Sequence, residues 1–117
     1  MHPAGQLDDL VHQRARLGIL AIANEAQRVE FRYLQSELDL TPGNLTTHLA
    51  ALEKGGLVRI AKGYEGRRPR TWVSITRRGR AALRSEVATL KQIVQRTEVP
   101  RWEGDLTVAP LGTVRPG

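Results

Sequence analysis

At 117 residues the chain is long enough for one small domain with a modest core. Its 18 lysines and arginines against 12 acidic residues leave a formal net charge of +6, which suits a polyanionic partner, and the absence of cysteine excludes disulfides and thiolate metal sites. His2, His12 and His48 fall at no metal-ligand spacing, and no phosphate-cradling glycine loop or activated nucleophile is visible, so neither metal, cofactor nor enzymatic activity is expected.

The first residues lack a basic start followed by an apolar core, and the longest apolar run, Ile19-Leu20-Ala21-Ile22-Ala23, is far too short to span a bilayer. A cytoplasmic protein without a membrane partner is expected. Residues 7–23 read as a helix, with Leu10, Leu17, Leu20 and Ala21 on one face and Gln13, Arg14 and Arg16 on another. Residues 24–30 connect, and Gln27-Arg28-Val29-Glu30 has the character of a short strand. A second helix over residues 31–38 buries Phe31, Leu34 and Leu38 at helical spacing, Asp39-Leu40 makes a turn, and Leu40 plugs the corner beyond it.

The next helix, residues 42–54, has the clearest bounds. Thr41 is a candidate N-cap, Pro42 sits at the first helical position where its missing N–H costs nothing, and Gly55-Gly56 stops the helix. Leu45, Leu49 and Leu52 recur at i, i+4 and i+7, one stripe for the core. The opposite side carries Gly43, Asn44, Thr47, Ala51 and Lys54, small, polar or basic residues that let a helix approach a crowded surface.

Two apolar, β-branched segments follow, Leu57-Val58-Arg59-Ile60-Ala61-Lys62 and Thr71-Trp72-Val73-Ser74-Ile75, with Trp72 read as core. Between them, Gly63-Tyr64-Glu65-Gly66-Arg67-Arg68-Pro69-Arg70 reads as a loop, with two glycines and a proline marking a turn between paired strands. Like charges crowded at a hairpin tip repel and give the fold nothing, so Arg67, Arg68 and Arg70 point to a polyanion: guanidinium grips phosphate with paired hydrogen bonds and enters narrow minor grooves.

Thr76 caps a last helix, residues 77–96, with Gly79 in its first turn, where lost helix propensity matters least. Leu83, Val87, Leu90 and Val94 form a seam longer than a small core requires, so a second copy of the chain is the natural cover, with Leu7, Leu10 and Val11 of the first helix joining them. Residues 97–117 are interrupted by Pro100, Gly104, Pro110, Gly112, Pro116 and Gly117 and are expected to form an irregular tail, which Trp102 anchors. The domain proper is residues 1–96.

Two helices and a turn, then a strand, an arginine-loaded tip and a second strand, outline a winged helix-turn-helix. The fold class expected is mainly α with a small β-hairpin wing (α+β) and dimerisation helices at both ends. The segment from Leu40 through Thr41-Pro42-Gly43-Asn44 and Leu49-Ala50-Ala51-Leu52 to Gly55-Gly56-Leu57-Val58 resembles the recognition-helix segment of winged-helix transcriptional regulators of the MarR and ArsR type. Gly66-Arg67-Arg68-Pro69-Arg70-Thr71-Trp72, followed by Ile75-Thr76 and Gly79, resembles the wing and helix start of a small MarR-like subgroup. The cysteine pair of metal-sensing ArsR-type members is absent.

That resemblance implies a dimeric regulator of double-stranded DNA on a roughly palindromic operator, with its recognition helix in the major groove and its wing in the minor groove. Thr41, Gly43, Asn44, Thr47 and His48 would face DNA, with Lys54 beside them and Arg67, Arg68 and Arg70 on the wing. Phosphate contacts from Thr41, Lys54, Arg70 and Arg77 or Arg78 would set register, while Asn44, Thr47 and His48 read bases. A small-molecule effector between the dimer helix and the DNA-binding lobe is an expectation that no residue of the sequence carries. The rival reading is a winged-helix protein-interaction module, because fold does not fix function.

Overall fold

The computed structural model of the chain describes residues 2–98 and Trp102. After a 3-10 turn at Pro3–Gln6 come α1 (Asp9–His12), α2 (Arg14–Glu25), β1 (Val29–Glu30), α3 (Phe31–Leu38), α4 (Pro42–Lys54), β2 (Val58–Glu65), β3 (Arg68–Ile75) and α5 (Arg77–Glu98). The helix expected over residues 7–23 is therefore two. Asp8 accepts a hydrogen bond from the Leu10 amide and starts a one-turn helix of its own, and Gln13 turns extended (φ −59°, ψ 137°) before α2 begins. The break rotates the apolar faces: α2 buries Ala15, Ile19, Leu20 and Ala23, while Leu17 and Ala21 are only half-buried. Gly18 marks where α3 closes on α2, since a Cβ there would lie 2.6 Å from Leu38 Cδ2.

One core joins every element. Val11, Ile19, Leu20, Leu34, Leu45, Leu52 and Val73 are sealed from solvent, and Leu49, Leu57, Val58, Ile75 and Leu83 are nearly so. Phe31, Leu38 and Leu40 pack on its margin, so Leu40 fills the corner between α3 and α4 as expected. Asp39 makes that corner by taking the left-handed conformation (φ 52°), with its amide donating to the Gln35 and Ser36 carbonyls. Aspartate is among the few non-glycine residues that tolerate it.

The sheet has strand order β1-β3-β2, all antiparallel. The hairpin is longer than the sequence reading: residues 63–65 and 68–70 are strand, and only Gly66-Arg67 turn, with Gly66 at φ 66°. A glycine with positive φ at the first central position suits a two-residue hairpin. Hydrophobic alternation sees only the core-facing half of such a ribbon. The distal half extends beyond the core, with Glu65 opposite Arg68 and Tyr64 opposite Pro69.

Pro69 costs no ladder bond. The Ile60 amide points away from β3, to Glu53, so Ile60–Val73 and, by alternation, Tyr64–Pro69 are non-hydrogen-bonded pairs. The proline nitrogen therefore faces the side where β1 would lie, and β1 pairs only with Trp72 and Val73.

Trp72 is not core. Side chains alternate across a strand, so a tryptophan between buried Val73 and half-buried Thr71 must point to the other face. There it lies half-buried beneath Arg28, whose guanidinium carbon stands 4.1 Å from the ring centroid. A shallow cavity of about 510 Å³ opens beside it, lined by Ile22, Arg28, Tyr33 and Trp72 among others.

Thr76 begins α5 as expected: its hydroxyl accepts from the Gly79 amide at 2.9 Å and donates to the Gly56 carbonyl at 2.7 Å. α5 runs two residues beyond the expected Arg96. Of the seam residues, Leu83 belongs to the chain's own core, as does Val11 of α1, so both are corrections to the expected dimer set. Leu10 packs against the core beside Gly55. Leu7 and Leu90 are half-buried, and Val87 and Val94 are 37% and 52% exposed. The N-terminal segment is held to α5 by Glu86, a buried carboxylate that accepts from the Asp8 amide at 3.1 Å. Trp102 is exposed, and the rest of the expected tail past Glu98 lies outside the described residues.

Candidate nucleic-acid interface

α4 is built to expose a smooth side. Thr41 Oγ1 accepts from the Asn44 amide at 3.1 Å and Pro42 occupies the first turn, so the helix starts at a defined residue. With Leu45, Leu49 and Leu52 inward, the 3.6-residue period sends Gly43, Thr47, Ala50 and Lys54 straight out, and these are exposed. Asn44 and half-buried Ala51 flank them on one side, Thr46 and Glu53 on the other. Thr46 and Ala50 were missed by the sequence reading, although the same wheel that selected Thr47 and Lys54 assigns them to the outer half. Gly43 has nothing within 4 Å of a would-be Cβ, so its smallness is not demanded by the fold.

The Thr47 hydroxyl proton is already committed, donating to the Gly43 carbonyl at 3.0 Å. What the side chain offers outward is a methyl group and acceptor lone pairs. Those suit a base-edge amino group or a thymine methyl.

The wing is fixed relative to this helix. Glu53 Oε2, in the last turn of α4, accepts from the Ile60 amide on the open edge of β2 at 3.2 Å. Thr46, Leu49, Ala50 and Glu53 face Ile60, Lys62, Thr71 and Phe31 across a groove of about 420 Å³. Helix and wing root therefore flank one concave surface. Farther out, Lys62, Tyr64, Arg67 and Arg68 are all exposed, Tyr64 at 76%.

The three wing arginines divide. Arg67 stands in the turn and Arg68 at the first residue of β3, both in solvent. Arg70 lies on the opposite sheet face from Thr71, its side chain only 15% exposed, with Nη1 3.6 Å from Glu30 and Nη2 3.8 Å from Glu65. It ties β1 to the hairpin rather than reaching outward. Arg78 leans over the Gly56 corner, where its charge complements the carbonyl end of α4, and Arg77 is exposed.

His48 sits on the flank of α4 that meets α2, half-buried, and its Nδ1 accepts a hydrogen bond from Arg16 Nε at 3.2 Å. Burial first, and the Arg16 charge second, hold its pKa below the ordinary imidazole value. Arg16 carries no local signal for this role, because the pairing spans 32 residues of sequence.

Among the described residues no helix is long and apolar enough to cross a membrane. A family model described as a winged helix DNA-binding domain matches residues 15–94. An uncharacterized protein of Methanocaldococcus jannaschii, MJ0432, is 36% identical over 83 residues, covering 71% of this chain and 90% of that one. A solved transcriptional regulator homologue from Pyrococcus horikoshii superposes with a TM-score of 0.78 at 32% identity, over 85% of this chain and all of its own. Sco3205 of Streptomyces coelicolor, a MarR family transcriptional regulator solved in complex with DNA, shares the fold at a TM-score of 0.60 and 22% identity, over 89% of this chain and 74% of its own. With its match from Ala15 to Val94, its capped α4 and its three-stranded winged sheet, the chain belongs to the winged helix DNA-binding domain family and has a MarR-like regulator fold.

Proposed function

We propose that this protein is a sequence-specific, double-stranded-DNA-binding transcriptional regulator that works as a homodimer and represses by occupying its operator. One observation carries the reading: the exposed side of α4 and the root of the cationic wing flank a single groove, tied together by the Glu53–Ile60 hydrogen bond. In this arrangement Gly43, Asn44, Thr47 and Ala50 enter the major groove, and Arg67 and Arg68 reach the neighbouring minor groove. Thr41, Lys54, Lys62 and Arg77 meet phosphates. The crystal structure of Sco3205 with DNA, a protein of the same fold, supports a duplex as the partner. Selecting bound fragments from random DNA tests this directly, and a protein-interaction module would retard no site preferentially. Asn44→Ala lowers discrimination at one base position by about 1–3 kcal/mol, as expected when an Asn–adenine bidentate contact is lost; an unchanged selection profile would count against that contact.

The dimer follows from α5. Val87, Leu90 and Val94 continue, toward the C-terminal end of α5, the apolar stripe that begins at Leu83, and there the core no longer covers it fully. A two-fold partner covering that stripe pairs two α4 helices with half-sites about 34–36 Å apart, one turn of B-DNA. Val87→Glu/Val94→Glu is expected to give a folded monomer in sedimentation, because both side chains are exposed in the protomer. Operator affinity falls with it. A double variant that stays dimeric would move the interface elsewhere.

A further inference from the structure

We propose that Arg16, on α2, is a specificity-positioning residue: by donating to His48 Nδ1 it confines His48 to presenting its Nε2–H, so that His48 acts on DNA as a hydrogen-bond donor to an acceptor on a base edge. The inference rests on the reading of α4 as the DNA-facing helix. A neutral imidazole has one N–H and one bare nitrogen, and which is which decides what it reads. Here the choice is made from outside the recognition helix. Arg16 Nε carries a hydrogen and has no lone pair to offer, so the nitrogen 3.2 Å away must be the bare one. The proton is then on Nε2.

The neighbourhood reinforces this. Asn44, Leu45, Ala51 and Leu52, one turn away on α4, carry no charge, so Arg16 is the cation that acts on the ring. Protonating Nδ1 would set two donors against each other and break the bond. Consistently, the ring is held in its neutral form by burial and by the Arg16 charge. The pair thus divides its duties: Arg16 keeps the positive charge, and His48 stays a neutral, single-donor reader. Acceptors that suit it are guanine N7 or O6, adenine N7 and thymine O4. A phosphate oxygen shares the same chemistry but carries no sequence information.

The test combines nitrogen-15 NMR of the His48 ring in the free protein with DNA selection by the wild type, Arg16→Met, His48→Ala and the double variant. Methionine keeps the apolar stem and removes the donor. The expected wild-type signals are those of a protonated Nε2 and a hydrogen-bonded, bare Nδ1, with titration below the ordinary imidazole range. In Arg16→Met the Nδ1–H tautomer appears and the titration moves upward. Each single variant relaxes preference at one shared base position by about five- to tenfold, and the double variant adds nothing. Unchanged His48 signals in Arg16→Met would overturn the proposal. So would a loss equal for all sequences, the signature of a phosphate contact, or additive losses in the double variant. A wild-type protein that prefers no sequence while its His48 signals are as expected would instead remove the DNA reading, and this role with it.

Discussion

Gly79→Ala is expected to unfold the protein at markedly lower temperature, although alanine is the better helix former. A Cβ at this position would stand 2.1 Å from the Leu57 carbonyl oxygen and 2.8 Å from Ile75 Cγ1. The first obstacle is backbone, at the residue where α4's exit joins β2, and it cannot rotate aside. The same joint holds three more bonds: Thr76 Oγ1 to the Gly56 carbonyl, the Gly79 amide to Thr76 Oγ1, and the Thr76 amide to the Leu57 carbonyl. Relief of the clash must pull α5 from the wing root and strain them together. Helix propensity alone favours alanine by about 1 kcal/mol, whereas overpacking costs about 1–3 kcal/mol and more where the neighbour is rigid. A net loss of about 2–3 kcal/mol lowers Tm by roughly 10–15 °C for a domain of this size. Thermal unfolding followed by circular dichroism checks it. An unchanged or raised Tm would mean that the α5–Leu57 approach is loose.

Gly79 also shows where sequence reasoning stops. Read locally, it is a glycine in a helix's first turn, where low propensity is cheap. Its actual reason is a contact with residue 57, which no local pattern announces. By contrast α4 was legible in full, because Thr41, Pro42, the leucine spacing and Gly55-Gly56 are all signals within one segment. β1 and the Asp39 turn were legible for the same reason.

Two of the errors share one physical cause. The break at Gln13 sets α1, which carries Val11 into the core, apart from α2, and the split of dimer candidates depends on how far along α5 the chain's own core reaches. Hydrophobic periodicity identifies a stripe but not its partner. Trp72 was misplaced by weighing its size above its alternation with Val73. The wing was read as too short because a two-faced ribbon in solvent has no hydrophobic pattern to read. Of the interface residues missed or reassigned, Thr46 and Ala50 were open to the helical wheel, whereas Arg16 and Arg70 are set by partners far away in sequence, His48 and Glu30.

That reassignment separates the effects expected from the wing. Arg67→Ala/Arg68→Ala leaves Tm nearly unchanged, since both side chains are in solvent, and weakens binding to every duplex. Each phosphate neutralised contributes about 0.9 to the slope of log K against log salt, so losing two contacts per protomer lowers the slope of a dimer by about 3–4. The affinity lost is then greatest at low ionic strength and shrinks as salt is added, because the variant's affinity falls less steeply with salt than that of the wild type. Replacing the pair by lysine restores most of the slope, because charge is kept. It does not restore a preference for narrow, A·T-rich flanks, which depends on guanidinium in the minor groove. Arg70→Ala behaves oppositely: it removes a mostly buried cation from between Glu30 and Glu65, lowers stability by about 1 kcal/mol, and leaves the salt slope of the folded protein near the wild-type value. Titrating affinity against salt for the three variants, with Tm measured alongside, distinguishes them. Equal slopes for Arg67→Ala/Arg68→Ala and the wild type would take the wing off the DNA, while a slope lowered by Arg70→Ala would mean that its acidic partners release it when a duplex arrives.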